Sequence, residues 1–126
     1  MKPTIILDFD GVLHSYSSGW KGATTIPDPP TPGAKEAVAA LREKYMVVVV
    51  SSRCHQPGGI EAIEFWLAFH GIKVDGVSND KPAHIVTVDD RAFRFEGDWQ
   101  AVIDGIPAAA IPWNKRGKHH EIAAMD

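Results

Sequence analysis

Two carboxylates one residue apart close the first apolar run of the chain, where Thr4-Ile5-Ile6-Leu7 leads into Asp8-Phe9-Asp10-Gly11-Val12-Leu13. Side chains alternate faces along a strand, so Asp8 and Asp10 can both turn toward one crevice as the chain leaves a sheet at Gly11. Two anions held that close are costly unless they share a cation or a proton. The pair therefore points to a divalent metal, to acid/base chemistry, or to both. Asp-x-Asp is a short pattern, and by itself it also describes a solvated turn. Three more segments carry groups of a matching kind: Ser51 behind the run Met46–Val50, Lys81 ahead of a run from Ile85 to Val88, and Asp89-Asp90 directly after it.

These groups need a scaffold, and the sequence describes one. Apolar runs too short for helices alternate with segments of helical period, which implies a parallel sheet with crossover helices. Strands are predicted over Thr4–Phe9, Met46–Val50, Ile72–Val77, Ile85–Val88 and about Ala108–Ile111, giving a mostly parallel five-stranded sheet in a Rossmann-like α/β three-layer sandwich. Thr31 reads as an N-cap with Pro32 at the first helical position, and Ala34, Val38, Leu41 and Tyr45 stripe the helix that follows. Ile60, Ile63, Trp66 and Leu67 stripe a second helix that Gly71 stops, and a short third helix is expected over Asp98–Ile103. The segment with Pro27, Pro29, Pro30 and Pro32 must be loop or hairpin.

A length of 126 residues fits one domain, 1–126, and 44% hydrophobic with 23% charged residues suits an ordinary globular core. The net charge of -3 gives no general pull toward nucleic acid or anionic membrane. Any polyanion contact must come from the one basic cluster, Lys115-Arg116-Gly117-Lys118-His119-His120, which is a solvated face or a rim for a phosphorylated substrate. Cys54 is the only cysteine, so no internal disulfide can form. No signal h-region or membrane span is read near the amino terminus, and a cytoplasmic location is expected.

In open α/β sheets ligands bind at the carboxyl ends of the strands, so the predicted strand order of events delivers acids, a hydroxyl and an ammonium to one crevice. Phosphoryl transfer through an aspartyl-phosphate uses such a set. Asp8 would be the nucleophile. Anion repulsion between it and a phosphate, about 1 kcal/mol at ~4 Å even when well screened, calls for a cation between them. Hard oxygens from Asp8, the Asp10 carbonyl and Asp90 suit magnesium better than zinc. Ser51 would donate to the transferring phosphoryl group and Lys81 would balance its charge. Asp10 would protonate the leaving oxygen and then deprotonate water.

At these residues the chain resembles the haloacid dehalogenase superfamily: Asp8-Phe9-Asp10-Gly11-Val12, Ser51, Lys81 and Val88-Asp89-Asp90 match its motifs in family order across nearly the whole chain. Val50-Ser51-Ser52-Arg53 and Val88-Asp89-Asp90-Arg91 look like the phosphatase portion of polynucleotide kinase-phosphatases and like small capless relatives. The resemblance implies a magnesium-dependent phosphomonoesterase, with metal held by Asp8, Asp10 and Asp90, Asp89 nearby. It favours Asp90 over Asp89 as direct ligand. Family members often carry another acid four or five residues after that Asp, where this chain has Arg94 and Phe95. Asp10 argues against the dehalogenating reaction, whose enzymes lack the second Asp. Too few residues separate Gly11 from the second strand for a cap domain, which leaves a short flap around Tyr16 to Ile26.

Ser51 could instead cap the following turn, with Ser52 as its register-slip alternative. Arg53 and Arg91 would either hold a second substrate phosphate or pair with surplus acids. His14 is placed at the flap base, Trp66 in the core, and Trp20 and Trp113 in loops. The expected partner is a phosphorylated substrate, either a nucleotide or polynucleotide 3′-phosphate or a small metabolite that a homo-oligomer would screen, with no membrane contact. A catalytically idle binding module is the rival without chemistry. A response-regulator receiver domain is excluded by order, since Asp89-Asp90 follows Lys81 and the Val49-Val50 strand leads to Ser51.

Overall fold

Ile5, Ile6 and Leu7 are all buried, as befits a strand with neighbours on both edges. In the computed structural model, which describes residues 2–89 and 93–109, they form the centre of a parallel sheet. β1 (Thr4–Leu7) lies between β2 (Met46–Val50) and β4 (Val86–Asp89), β3 (Gly76–Ser78) flanks β2, and the two-residue β5 (Phe93–Arg94) extends the four longer strands beyond β4. Leu7 aligns with Val49 on one side and Val88 on the other, so three adjacent strands end at one level. That level is where the predicted chemistry begins.

Three helices accompany the sheet: α1 (Ala34–Arg42), α2 (Gly59–Phe69) and α3 (Trp99–Ala109), with a short 3-10 helix over Ser52–His55. One core cluster joins Ile5, Leu7, Val47, Val49 and Val88 to Val38 and Leu41 of α1, Ile63 and Trp66 of α2, and Val102 and Ile106 of α3. Alternation turns Ile6, Val48 and Val50 to the other face, where Val48 and Val50 are half-buried. The fold is α/β, and no described helix is long and apolar enough to cross a membrane.

The structure departs from the sequence reading at element ends. β1 stops at Leu7 rather than Phe9 because the Phe9 carbonyl accepts the amides of Val12, Leu13 and His14, winding the chain into a turn that Gly11 completes with φ 80°. Thr31 does not cap α1: its hydroxyl donates to the Val12 carbonyl at 2.7 Å, and the helix begins after Gly33 instead. The strand expected over Ile72–Val77 is reduced to Gly76–Ser78. Asp75 before it spends its carboxylate on the Val47 amide and on Arg42, which fastens the end of α1 to the start of β2 and β3. The expected strand at Ala108–Ile111 is wrong in its first two residues, which finish α3. Asp98 starts that helix by accepting the Gln100 and Ala101 amides, and Pro107 lies within its last turn. Residues 110 and 111 lie outside the described part.

Candidate active site

The residues that leave β1 and β2 at their shared carboxyl level build the site. Asp8 follows Leu7 directly. Its amide donates to the Val88 carbonyl at 2.9 Å, the last rung toward β4, and its carboxylate accepts the Phe9 amide at 2.8 Å. Asp8 and Asp10 both remain partly accessible, so the turn at Phe9 buries the ring between them and leaves the two acids at the surface of the sheet end.

Asp10 is held from two sides. Arg53, fully buried, donates from Nε to Asp10 Oδ2 at 2.9 Å and from Nη2 to Oδ1 at 3.0 Å. A charge taken out of water needs such a partner, and the bidentate fork supplies both attraction and direction. His14, also fully buried, places Nδ1 2.8 Å from Asp10 Oδ1. The Asp28 amide donates to His14 Nε2 at 3.1 Å, so Nε2 must offer its lone pair and the proton of the neutral ring sits on Nδ1. His14 is therefore a donor to Asp10. Oδ1 carries the greater load, taking His14 and Arg53 Nη2, with a longer 3.2 Å contact to Nε, while among the described residues Oδ2 takes Arg53 Nε alone.

The layer beneath is polar and aromatic together. Asp28 accepts the Ser18 amide and hydroxyl, which hold its carboxyl below the ordinary range. Trp66 donates its indole N–H to the Asp28 carbonyl, and its ring stands edge-on to both Phe9 and His14. The remaining amine of Arg53, Nη1, donates to the carbonyls of Gly22, Ala23 and Thr25. Behind it, α2 starts so close that a Cβ on Gly59 would lie 1.7 Å from the Arg53 carbonyl oxygen.

Among the expected site residues, Asp8, Asp10, Ser51 and Arg53 come together at this end of the sheet. Ser51 is buried and accepts the Arg53 amide at 3.2 Å, so it does cap the 3-10 turn, and its own hydroxyl hydrogen is still there to donate. Ser52 is exposed. Arg53 is corrected from a substrate ligand to an internal one: with no exposed surface and its nitrogens on Asp10 and three carbonyls, it takes the pairing alternative. Lys81 is exposed, three residues beyond β3 on the connection to β4. Asp89 ends β4 next to Leu7's level, whereas Asp90, Arg91 and the basic cluster from Lys115 lie outside the described residues. Cys54 is buried, which pushes its thiol up, away from reactivity.

His14 and Asp28 are the members that spacing did not assign to the site. The only trace of them is His14 four residues after Asp10, and an acid set among prolines. Among the described residues no three His, Cys, Asp or Glu side chains cluster as a metal cage. The Asp8 carboxylate and the Asp10 carbonyl are hard oxygen donors of the kind magnesium takes, while the Asp10 carboxylate is paired with Arg53 and His14. No protein-family description, curated protein or solved structure matches the chain.

Proposed function

We propose that the chain is a magnesium-dependent phosphomonoesterase of the haloacid dehalogenase type, acting on a nucleotide or polynucleotide 3′-phosphate. The three-layer form of its sandwich, with the second sheet face covered, belongs to the same reading. What supports it most is the held state of Asp10: a carboxylate one residue from a second acid at the carboxyl end of the sheet, oriented by a buried guanidinium and a neutral imidazole.

In this mechanism an Asp8 oxygen attacks phosphorus, forming the aspartyl-phosphate as the bond to the leaving oxygen breaks. Asp10 enters the cycle carrying a proton on Oδ2 and gives it to the leaving oxygen, then takes one from the water that attacks the phosphoenzyme, releasing phosphate and restoring both acids. Ser51 donates to a phosphoryl oxygen and Lys81 offsets its charge. Magnesium, held by Asp8, the Asp10 carbonyl and Asp90, would neutralise charge between nucleophile and phosphate.

The test is hydrolysis of an aryl phosphate with magnesium, with excess chelator, and with Asp8→Asn. The expected result is loss of turnover in chelator, and loss of both turnover and acid-stable phosphoenzyme in Asp8→Asn, by about 10³-fold or more. Full activity in chelator overturns the reading. Comparing 3′-phosphorylated oligonucleotides with phosphorylated metabolites then decides the substrate class, and a preference for metabolites overturns the nucleic-acid part.

A further inference from the structure

We propose that Arg53 is a positioning residue that joins the placement of residues 20–25 to the orientation of Asp10, so that the two change together; its catalytic meaning rests on the phosphatase reading above. A guanidinium is planar with donors along separate edges, so it can grip two partners at fixed angles. Here the Nε and Nη2 edge grips Asp10, and Nη1 reaches the carbonyls of Gly22, Ala23 and Thr25 at 2.8, 3.1 and 3.2 Å. The Trp20 ring lies over the guanidinium with its centroid 4.7 Å from Cζ, and Phe9 stands 5.9 Å away.

The other described ties of the segment are few: the Thr25 amide donates to the Gly22 carbonyl, and Ile26, just beyond it, packs on the core. None of residues 20–25 is buried: Trp20, Lys21, Thr24 and Thr25 are exposed and Gly22 and Ala23 half-exposed. Within residues 20–25 apolar burial is slight, so the carbonyl bonds to one buried cation carry much of their placement. That cation is itself kept in place by Asp10. Removing the Asp10 charge leaves Arg53 with carbonyl partners only, and removing the carbonyls leaves it free to swing on Asp10. Coupling of this kind is reciprocal. Release of the segment and loss of Asp10 alignment are thus one event rather than two, and a substrate that presses residues 20–25 inward would tighten the acid it needs.

Exposed Lys21 gives a readout that needs no turnover. Trypsin cleavage at Lys21, timed by mass spectrometry, is compared in the wild type, Asp10→Asn, Arg53→Lys and the double variant. Asp10→Asn touches no atom of the segment, yet is expected to speed cleavage about tenfold, the effect of losing a charged hydrogen bond. Arg53→Lys keeps the charge but not the fork and is expected to match it, with the double variant no faster than either single one. Wild-type cleavage in Asp10→Asn overturns the coupling. Should Arg53→Lys fail to fold by its melting curve, Asp10→Asn decides alone. On aryl phosphates, Arg53→Lys is expected to lose more rate with poor leaving groups than with good ones, and equal losses overturn the positioning role. A wild type inert toward every phosphoester would overturn the phosphatase reading while leaving the cleavage result to stand or fall by itself.

Discussion

Two arginine–aspartate forks sit at opposite ends of the sheet, and they use the same chemistry for different ends. At the amino end, Arg42 Nη2 meets Asp75 Oδ1 at 2.8 Å with a third of its side chain in solvent, and Asp75 also accepts the Val47 amide. At the carboxyl end, Arg53 meets Asp10 at 2.9 Å with none of its side chain exposed. Both acids are loaded unevenly, Asp75 with one donor on Oδ1 and two on Oδ2, Asp10 with one on Oδ2 and the rest on Oδ1; what differs is the burial of the arginine and the histidine that Asp10 also meets. The exposed fork ties α1 to the strands; the buried one orients an acid at the sheet end. Burial raises the stakes of a pair.

The comparison predicts its largest contrast in turnover. Asp10→Asn should cost about 10²- to 10⁴-fold on substrates with poor leaving groups, the range of a lost general acid. Asp75→Asn should leave kcat within about twofold, since surface changes away from such features have small effects. Rates measured for both on one leaving-group series would break the contrast if Asp75→Asn fell as far.

Stability comes next. Arg53→Met strands Asp10 and three carbonyls and should cost about 3–5 kcal/mol, as breaking a buried pair does. Arg42→Met should cost far less, because solvent screens the pair. Urea titrations of the two variants at neutral pH read the difference directly, and equal midpoints would show that burial adds nothing here.

The smallest effects lie in acid and in salt. Arg42, and then the Val47 amide, hold the Asp75 carboxyl below the ordinary range. A carboxyl lowered on folding adds stability that is fully present above its unfolded value of about 3.9 and is lost as pH falls through the folded value. The stability gap between wild type and Asp75→Asn should therefore be constant near neutrality and close below about pH 4. Raising salt from about 0.1 M to 1 M should shrink the Arg42 contribution and spare that of Arg53. Melting curves across both gradients check the pair of expectations.

The elements that position the site were legible where local pattern and global fold agree. Met46–Val50, β-branched and unbroken, is a strand in both readings, and the Ile63-Trp66-Leu67 stripe of α2 is buried as its period requires. The placement of Asp8 and Asp10 at a strand end was legible for the same reason. Arg53 was legible as a site residue but its role was not, staying open between a substrate phosphate and a surplus acid because its partner lies 43 residues away. Nor were His14 and Asp28, joined across a proline-rich loop that no spacing rule describes. Thr31 carried a correct cap signal and lost it to Val12, a competition visible only once the turn at Phe9 exists. At α3 the helix expected over Asp98–Ile103 continues to Ala109, through Pro107 and the first two residues of the expected last strand.

The closeness of Gly59 to the Arg53 carbonyl sets how this chain can vary. No side chain fits between α2 and the backbone that carries the guanidinium, so even a methyl at position 59 must move Arg53 or unwind the start of the helix. A residue with no polar atom beyond its own backbone would then rank, in a survey of tolerated substitutions, with the acids proposed to do chemistry. Such a survey would draw the site larger than its reacting groups, with part of its outline marked by an atom that has to be missing.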